Sequence, residues 1–173
     1  MVDMDFEDKK WYVIVTKSRA EKKVAARLDA IGVANYLPLY YVVKQWKDRK
    51  KRVEEPLIKG FVFVNVAFKD RNAVFGTLGI VKYLYVDRKI AEIKSKEIEN
   101  LKFFCKFDDI IIESGNCLKG DEVEITAGDL TGFRGIVREN GKGKFICLHI
   151  GALGFFASIQ INKMDVRILK KVG

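Results

Sequence analysis

Residues 57–66, LIKGFVFVNV, constrain the fold more than any other stretch of the chain. The run is nearly continuous in apolar, β-branched and aromatic residues, interrupted by Lys59, Gly60 and Asn65. Such a run reads as a strand, and because apolar residues fall on both of its faces, both need covering. A second β-rich run, WYVIVT at 11–16, supplies a partner of the same character. Between them, Ser18 and Glu21 have the spacing of a capping box. Val24, Leu28 and Ile31 follow as one helical stripe, and Gly32 is the expected stop. Residues 34–46 read as an extended segment around Pro38, and 47–52, KDRKKR, as the polar tip of a hairpin. Asp70 is placed to cap a short helix through Val74 and Leu78, ended by Gly79. IVKYLYV at 80–86 reads as one strand. Ser95 is placed to cap a third helix with Ile98, Leu101 and Cys105 on one face.

This order, β-α-β-β-β-α-β-α, predicts an α+β fold in residues 1–106: a mostly antiparallel sheet with flanking helices. Residues 107–117, FDDIIIESGNC, read as a linker. After it, short strands at 122–126, 134–139, 144–150, 155–161 and 165–169 alternate with glycine-rich turns. That pattern over 118–173 predicts a small β-barrel.

Charge divides along the same line. The chain of 173 residues has a net charge of +9, and residues 1–106 carry all of it, with 23 Lys and Arg against 14 Asp and Glu; residues 107–173 hold nine of each. A basic module joined to a neutral one points to two jobs, one surface facing a polyanion and the other facing something else. The positive charge is densest at Lys44, Lys47, Arg49, Lys50, Lys51 and Arg52. Cations crowded on one hairpin repel each other unless an anion lies nearby, and phosphate is the natural anion. Trp46 sits among them; it is expected to pack in the core rather than stack on a base.

The aromatic residues Trp11, Tyr12, Tyr36, Phe61, Phe63, Tyr83 and Tyr85 alternate along the predicted strands, which sends them to two faces. Helices on one face only would leave the other as a protein interface; helices on both would make all of them interior. The pattern leaves these alternatives open.

Little points to catalysis. The acidic pairs Asp108–Asp109, Glu54–Glu55 and Asp121–Glu122 are sequence neighbours, which strand geometry turns to opposite faces. There is no nucleophile elbow and no phosphate-binding loop. His149, the one histidine, lies in the β-run FICLHI and is read as structural. Three cysteines, Cys105, Cys117 and Cys147, have no metal-ligand spacing and are read as buried thiols. A non-enzymatic protein with no cofactor and no metal is expected. The N-terminal MVDMDFEDKK has no apolar signal core, so a cytoplasmic protein is expected.

Two motifs on one chain carry a family resemblance. WYVIVT, the basic helix, LPL at 37–39, the hairpin KQWKDRKKRVEEPL and IKGFVFV together resemble the N-terminal domain of NusG-type transcription factors. The segment GDLTGFRGIV at 128–137, with Gly135 near its strand start, is similar to a KOW domain. The hairpin run looks closest to the specialised RfaH-like and UpxY-type paralogues. The resemblance implies an elongation and antitermination factor, working as a monomer, that binds the clamp region of the largest RNA polymerase subunit and suppresses pausing or termination, in the specialised members on particular operons such as those for surface polysaccharide. It places the polymerase contact at Ile58 and Phe61, with Trp11 and Phe63 beside them; Ile58 departs from the usual aromatic, and Lys59 stands where Pro or Gly is common. It puts the hairpin against upstream or non-template DNA. In the KOW domain it implies a partner such as ribosomal protein S-ten or termination factor Rho, contacted by Leu130, Phe133, Leu153 and Phe155. The rival reading is a KOW-containing RNA- or ribosome-binding module, against which the neutral second half argues.

Overall fold

In the computed structural model the described residues are 8–107, 110–114, 120–126, 131–140, 143–150, 153–160 and 166–171. The chain forms two compact units, Met1–Cys105 and Lys106–Gly173. Among the described residues no helix is long and apolar enough to cross a membrane.

The first unit is organised by β1 (Lys9–Thr16). It runs through α1 (Glu21–Ala30), β2 (Asn35–Tyr36), β3 (Leu39–Gln45), β4 (Lys50–Pro56), β5 (Phe61–Ala67), a 3-10 turn at Phe68–Asp70, α2 (Arg71–Val74), β6 (Ile80–Tyr83), β7 (Tyr85–Val86), β8 (Lys89–Ile90), β9 (Glu92–Ile93) and α3 (Ser95–Phe104). β1 and β5 pair antiparallel from Lys9↔Ala67 to Val15↔Phe61. The full sheet order is β2-β5-β1-β6, with β9 also on β1.

Register decides what each face holds. Tyr12, Ile14, Val62, Val64 and Val66 share one face with Tyr83, and Val24 and Leu28 of α1 are buried in the same cluster. Trp11, Val13, Val15, Phe61 and Phe63 share the other with Tyr36. There α3 lies against them: the Lys102 ammonium is over the rings of Trp11 and Tyr36, at 5.9 and 5.4 Å, and Ile98, Leu101 and Phe104 are buried. Both faces therefore carry a helix, but on the second only Val13 and Phe63 are fully buried, while Trp11, Val15 and Phe61 stay half-buried. Each fully buried Leu or Ile contributes about 1.5–3 kcal/mol through apolar area removed from water.

Several local expectations are corrected. Ser18 does not cap α1; the N-cap is Ala20, without a side-chain bond. Glu21 is instead buried and accepts the Gly60 N–H at 2.8 Å. The reason is Arg19, whose positive φ of 59° turns the chain before the helix, leaving Glu21 to satisfy a donor in the turn before β5. Residues 57–60 form that turn rather than strand, so β5 starts at Phe61. The expected helix from Asp70 to Leu78 shrinks to the four residues of α2. The strand expected at 80–86 breaks at Leu84 into β6 and β7, and β7 pairs with β8 around Asp87 and Arg88, both at positive φ. Ser95 is the first residue of α3 rather than its cap; Glu97 accepts the Lys94 N–H at 3.0 Å. The stop at Gly32 holds: its φ is +74°, its N–H donates to Asp29, and Val33 N–H donates to Leu28, the pattern of a Schellman motif.

The second unit is one antiparallel sheet of β10 (Ile111–Ser114), β11 (Asp121–Ile125), β12 (Arg134–Asn140), β13 (Gly143–Ile150), β14 (Phe155–Gln160) and β15 (Val166–Lys170). Its order is β10-β14-β13-β12-β11-β15. The segment read as a linker thus supplies an edge strand, because Ile111–Ser114 finds backbone partners along Phe155–Ser158. Among the described residues the two end strands pair only inward, so the strands of the expected small β-barrel form one sheet whose ends do not meet there. Gly135 fits its place physically: a Cβ there would stand 2.8 Å from Ile146 Cγ1 and 2.9 Å from the Cys147 carbonyl oxygen.

Gly79 joins positive φ (+105°) to a close approach, a Cβ there falling 2.8 Å from Val24 Cγ2 on α1. Gly79→Ala should destabilise the first unit by about 2–3 kcal/mol, from left-handed strain and overpacking. Urea unfolding followed by tryptophan fluorescence checks this, since both tryptophans lie in that unit.

Candidate functional site

β3 and β4 form a two-stranded ribbon paired from Leu39↔Pro56 to Gln45↔Lys50, outside the main sheet. The Trp46 N–H donates to the Arg49 carbonyl at 2.9 Å, carrying the ladder one step further and leaving Lys47 and Asp48 as the turn. The tip is therefore shorter than the expected 47–52, and Lys50, Lys51 and Arg52 stand on a strand. Alternation then sorts the side chains. Tyr41, Val43, Gln45, Lys50, Arg52 and Glu54 share one face; Val42, Lys44, Lys51 and Val53 share the other.

An isolated hairpin is marginal in water, and this one also sets like charges opposite each other, as at Lys44↔Lys51. Three contacts steady it. Lys22 of α1 reaches the Glu54 carbonyl at 2.9 Å and its carboxylate at 3.0 Å. Lys44 pairs with Glu55. The Arg52 guanidinium lies 4.2 Å above the Tyr41 ring. Lys47, Arg49, Lys50 and Lys51 are exposed and form no ion pair with any described residue. Trp46 is 56% exposed, Val43 67% and Tyr41 45%. The expectation that Trp46 packs in the core is corrected: the ribbon projects as two strands, and nothing described covers its tip.

On the main sheet the four residues expected to meet polymerase separate into two pairs. Trp11 and Phe61 are half-buried. Phe63 is 0% exposed and stacks on Tyr36 with ring centroids 6.3 Å apart, while Ile58 is 4% exposed in the turn before β5. Tyr36 also hydrogen-bonds Cys105. Burial pushes the Tyr36 hydroxyl far above its ordinary value and the Cys105 thiol upward, so both stay protonated. Burial likewise carries Tyr83 up to about 12. Sequence reasoning did not single out the exposed apolar residues Phe68, Phe75 and Val81; Leu78, expected on a helix with Val74, lies beyond the four residues of α2 and is exposed.

In the second unit Phe133 is buried, Leu153 and Phe155 are half-buried, and Leu130 lies outside the described residues. Cys147 is buried as expected. The His149 side chain, Cys117 and the pair Asp108–Asp109 also fall outside them.

A family model described as "Transcription termination factor nusG" matches residues 9–102, more than half of the chain. The chain belongs to the NusG family. Among solved structures, NusG of Thermotoga maritima is similar at 20% identity over 94% of this chain and 98% of that one, with a TM-score of 0.49. A chain from an MjSpt4:Spt5 complex is similar at 22% identity over 94% and 99%, with a TM-score of 0.32. No curated protein matches. The NusG match spans β1 through most of α3, and so contains the whole ribbon and both faces of the sheet. As a NusG family member the chain is a transcription factor; residues 106–173 lie beyond the matched segment.

The Lys44 hydrogen bond, with Coulombic help from Lys59 and Lys22, holds the Glu55 carboxyl below the usual glutamate range. A depressed carboxylate contributes stability above its unfolded value and loses it as pH falls through the folded value. The Glu55 side-chain NMR signal should therefore titrate below an ordinary glutamate, and Glu55→Gln should remove the acid-dependent loosening of the Val42–Val53 amides.

Proposed function

We propose that this NusG family member is an elongation and antitermination factor that binds the RNA polymerase clamp through its first unit and leans its basic ribbon on upstream or non-template DNA. The observation that carries the reading is the ribbon: four exposed cations without partners among the described residues, at the end of a module that matches the family. In this reading Trp11 and Phe61 touch polymerase, while Ile58 and Phe63, both buried, serve the fold around them. Lys44, Lys47, Arg49, Lys50, Lys51 and Arg52 supply the field for phosphate, with Lys44 and Arg52 also engaged within the ribbon. The second unit acts as a KOW-type domain whose half-buried Leu153 and Phe155, with Phe133 and Leu130, meet a protein such as ribosomal protein S-ten or termination factor Rho. The resemblance of its hairpin run to RfaH-like and UpxY-type paralogues supports a role on particular operons, surface polysaccharide among them. It works in the cytoplasm as a monomer.

No bond-making is needed for this. A factor that binds the closed clamp better than the open one shifts that equilibrium, and about 1.4 kcal/mol of preference shifts it tenfold.

Two measurements test it. Phe61→Ala should reduce capture of the large polymerase subunits without lowering stability by more than the loss of one half-buried ring; unchanged capture would refute the contact. Replacing Lys47, Arg49, Lys50 and Lys51 with Gln should flatten the slope of log K against log salt for DNA by about 3, at 0.7–0.9 per phosphate contact. An unaltered slope would remove the ribbon from the DNA interface.

A further inference from the structure

We propose that Glu21 is a positioning residue for the polymerase contact: its buried side chain holds the turn at 57–60 in one conformation and so fixes how Phe61, the next residue, is presented to the clamp. The inference rests on the reading of Phe61 as a polymerase contact and deepens it by naming what orders that side chain before binding. Glu21 is the first residue of α1, yet it is 5% exposed. It forms no ion pair with any described residue. A carboxyl group is costly to bury unless it is hydrogen-bonded. The N-terminal end of α1 offsets part of that cost, and the bond from the Gly60 N–H at 2.8 Å offsets the rest. Packing by itself would be served better by an apolar residue, so the acceptor is what the position requires.

Gly60 is a residue that needs holding. Its φ is +81°, and a Cβ there would meet nothing within 4 Å, so glycine is present for its dihedral angle and not for want of space. A glycine in a turn has many other conformations open to it. Here both of its backbone groups are engaged, the N–H by Glu21 and the carbonyl by the Thr16 N–H at 2.8 Å. At the other end of the turn the Leu57 N–H donates to the Pro38 carbonyl at 2.8 Å. Of these three bonds, the one to Glu21 is made by a side chain, so it can be removed without disturbing the backbone pairing of β1 with β5. Phe61 opens β5 opposite Val15 and is half-buried, and the direction of its ring follows from the backbone just before it. A turn ordered in advance spares the complex the cost of ordering it on binding.

The test measures the affinity of the full chain for RNA polymerase purified from the same cells, in a double-mutant cycle of Glu21→Ala with Phe61→Ala, and with Glu21→Gln beside it. Glu21→Ala should weaken binding about tenfold, while Glu21→Gln, whose amide oxygen accepts the same N–H, should stay within about twofold of the parent. Amide exchange at Gly60 should quicken in Glu21→Ala and not in Glu21→Gln. In the Phe61→Ala background Glu21→Ala should cost little more, because two residues that act as one unit do not add. Should Glu21→Ala melt below the assay temperature, Glu21→Met fills the same space without an acceptor and carries the same expectations. Full affinity in the acceptor-free variant, an equal loss in Glu21→Gln, or losses that multiply with that of Phe61→Ala would overturn the positioning role while leaving Phe61 as a contact. Unchanged affinity in Phe61→Ala would overturn the contact itself, and the positioning role with it.

Discussion

The antiparallel ladder of β1 with β5 is the constraint on which the first unit depends. Its seven pairs fix a register in which Tyr12, Ile14, Val62 and Val64 point one way and Trp11, Val13, Phe61 and Phe63 the other. A slip of one residue would exchange the two sets. Because both sets are apolar, the ladder is stable only when helices cover both sides. α1 does so on one side through Val24 and Leu28, and α3 on the other through Ile98, Leu101 and Phe104. The close approach at Gly79 and the buried Glu21–Gly60 bond follow from the same need, since each closes a turn against a strand or helix that cannot move away.

That arrangement makes the ribbon possible. β3 and β4 leave the sheet as a separate pair, held at the base by Leu39↔Pro56 and tied to α1 by Lys22. Exposed ion pairs such as Lys22–Glu54 are worth at most about 1 kcal/mol, so the ribbon is a lightly supported element whose charge is only partly neutralised internally. A rigid two-faced core thus carries a cationic arm that gains from an external anion. In the proposed reading function is a matter of surfaces, and the surfaces differ in chemistry: half-buried aromatics on the sheet, cations with an open indole on the arm, and apolar side chains in the neutral second unit.

Much of the fold was legible because it rests on short-range patterns. The β-branched runs, the Val24–Leu28 stripe and the Gly32 stop each specify their own element. The errors arose where a local signal was outbid by a distant partner. Ser18 and Glu21 have capping-box spacing, but the turn at Gly60 offers Glu21 a buried N–H, and the helix begins without a side-chain cap. Ile111 and its neighbours looked like a linker until β14 supplied an edge to pair with. Trp46 looked like core by residue type, yet alternation cannot say whether a two-stranded ribbon has anything above it.

The candidate site divides in the same way. The sequence by itself determined that this chain has a basic front module with strand pairs and amphipathic helices, a neutral back module of short strands, and a cluster of cations in a hairpin, since composition and periodicity are properties of neighbours along the chain. Only the tertiary structure decided that Phe63 and Ile58 are interior while Trp11 and Phe61 remain half-open, and that Trp46 stands in solvent beside Arg49 and Lys51. Exposure depends on which element comes to lie over a residue, and here those elements, α3 above all, come from segments dozens of residues away.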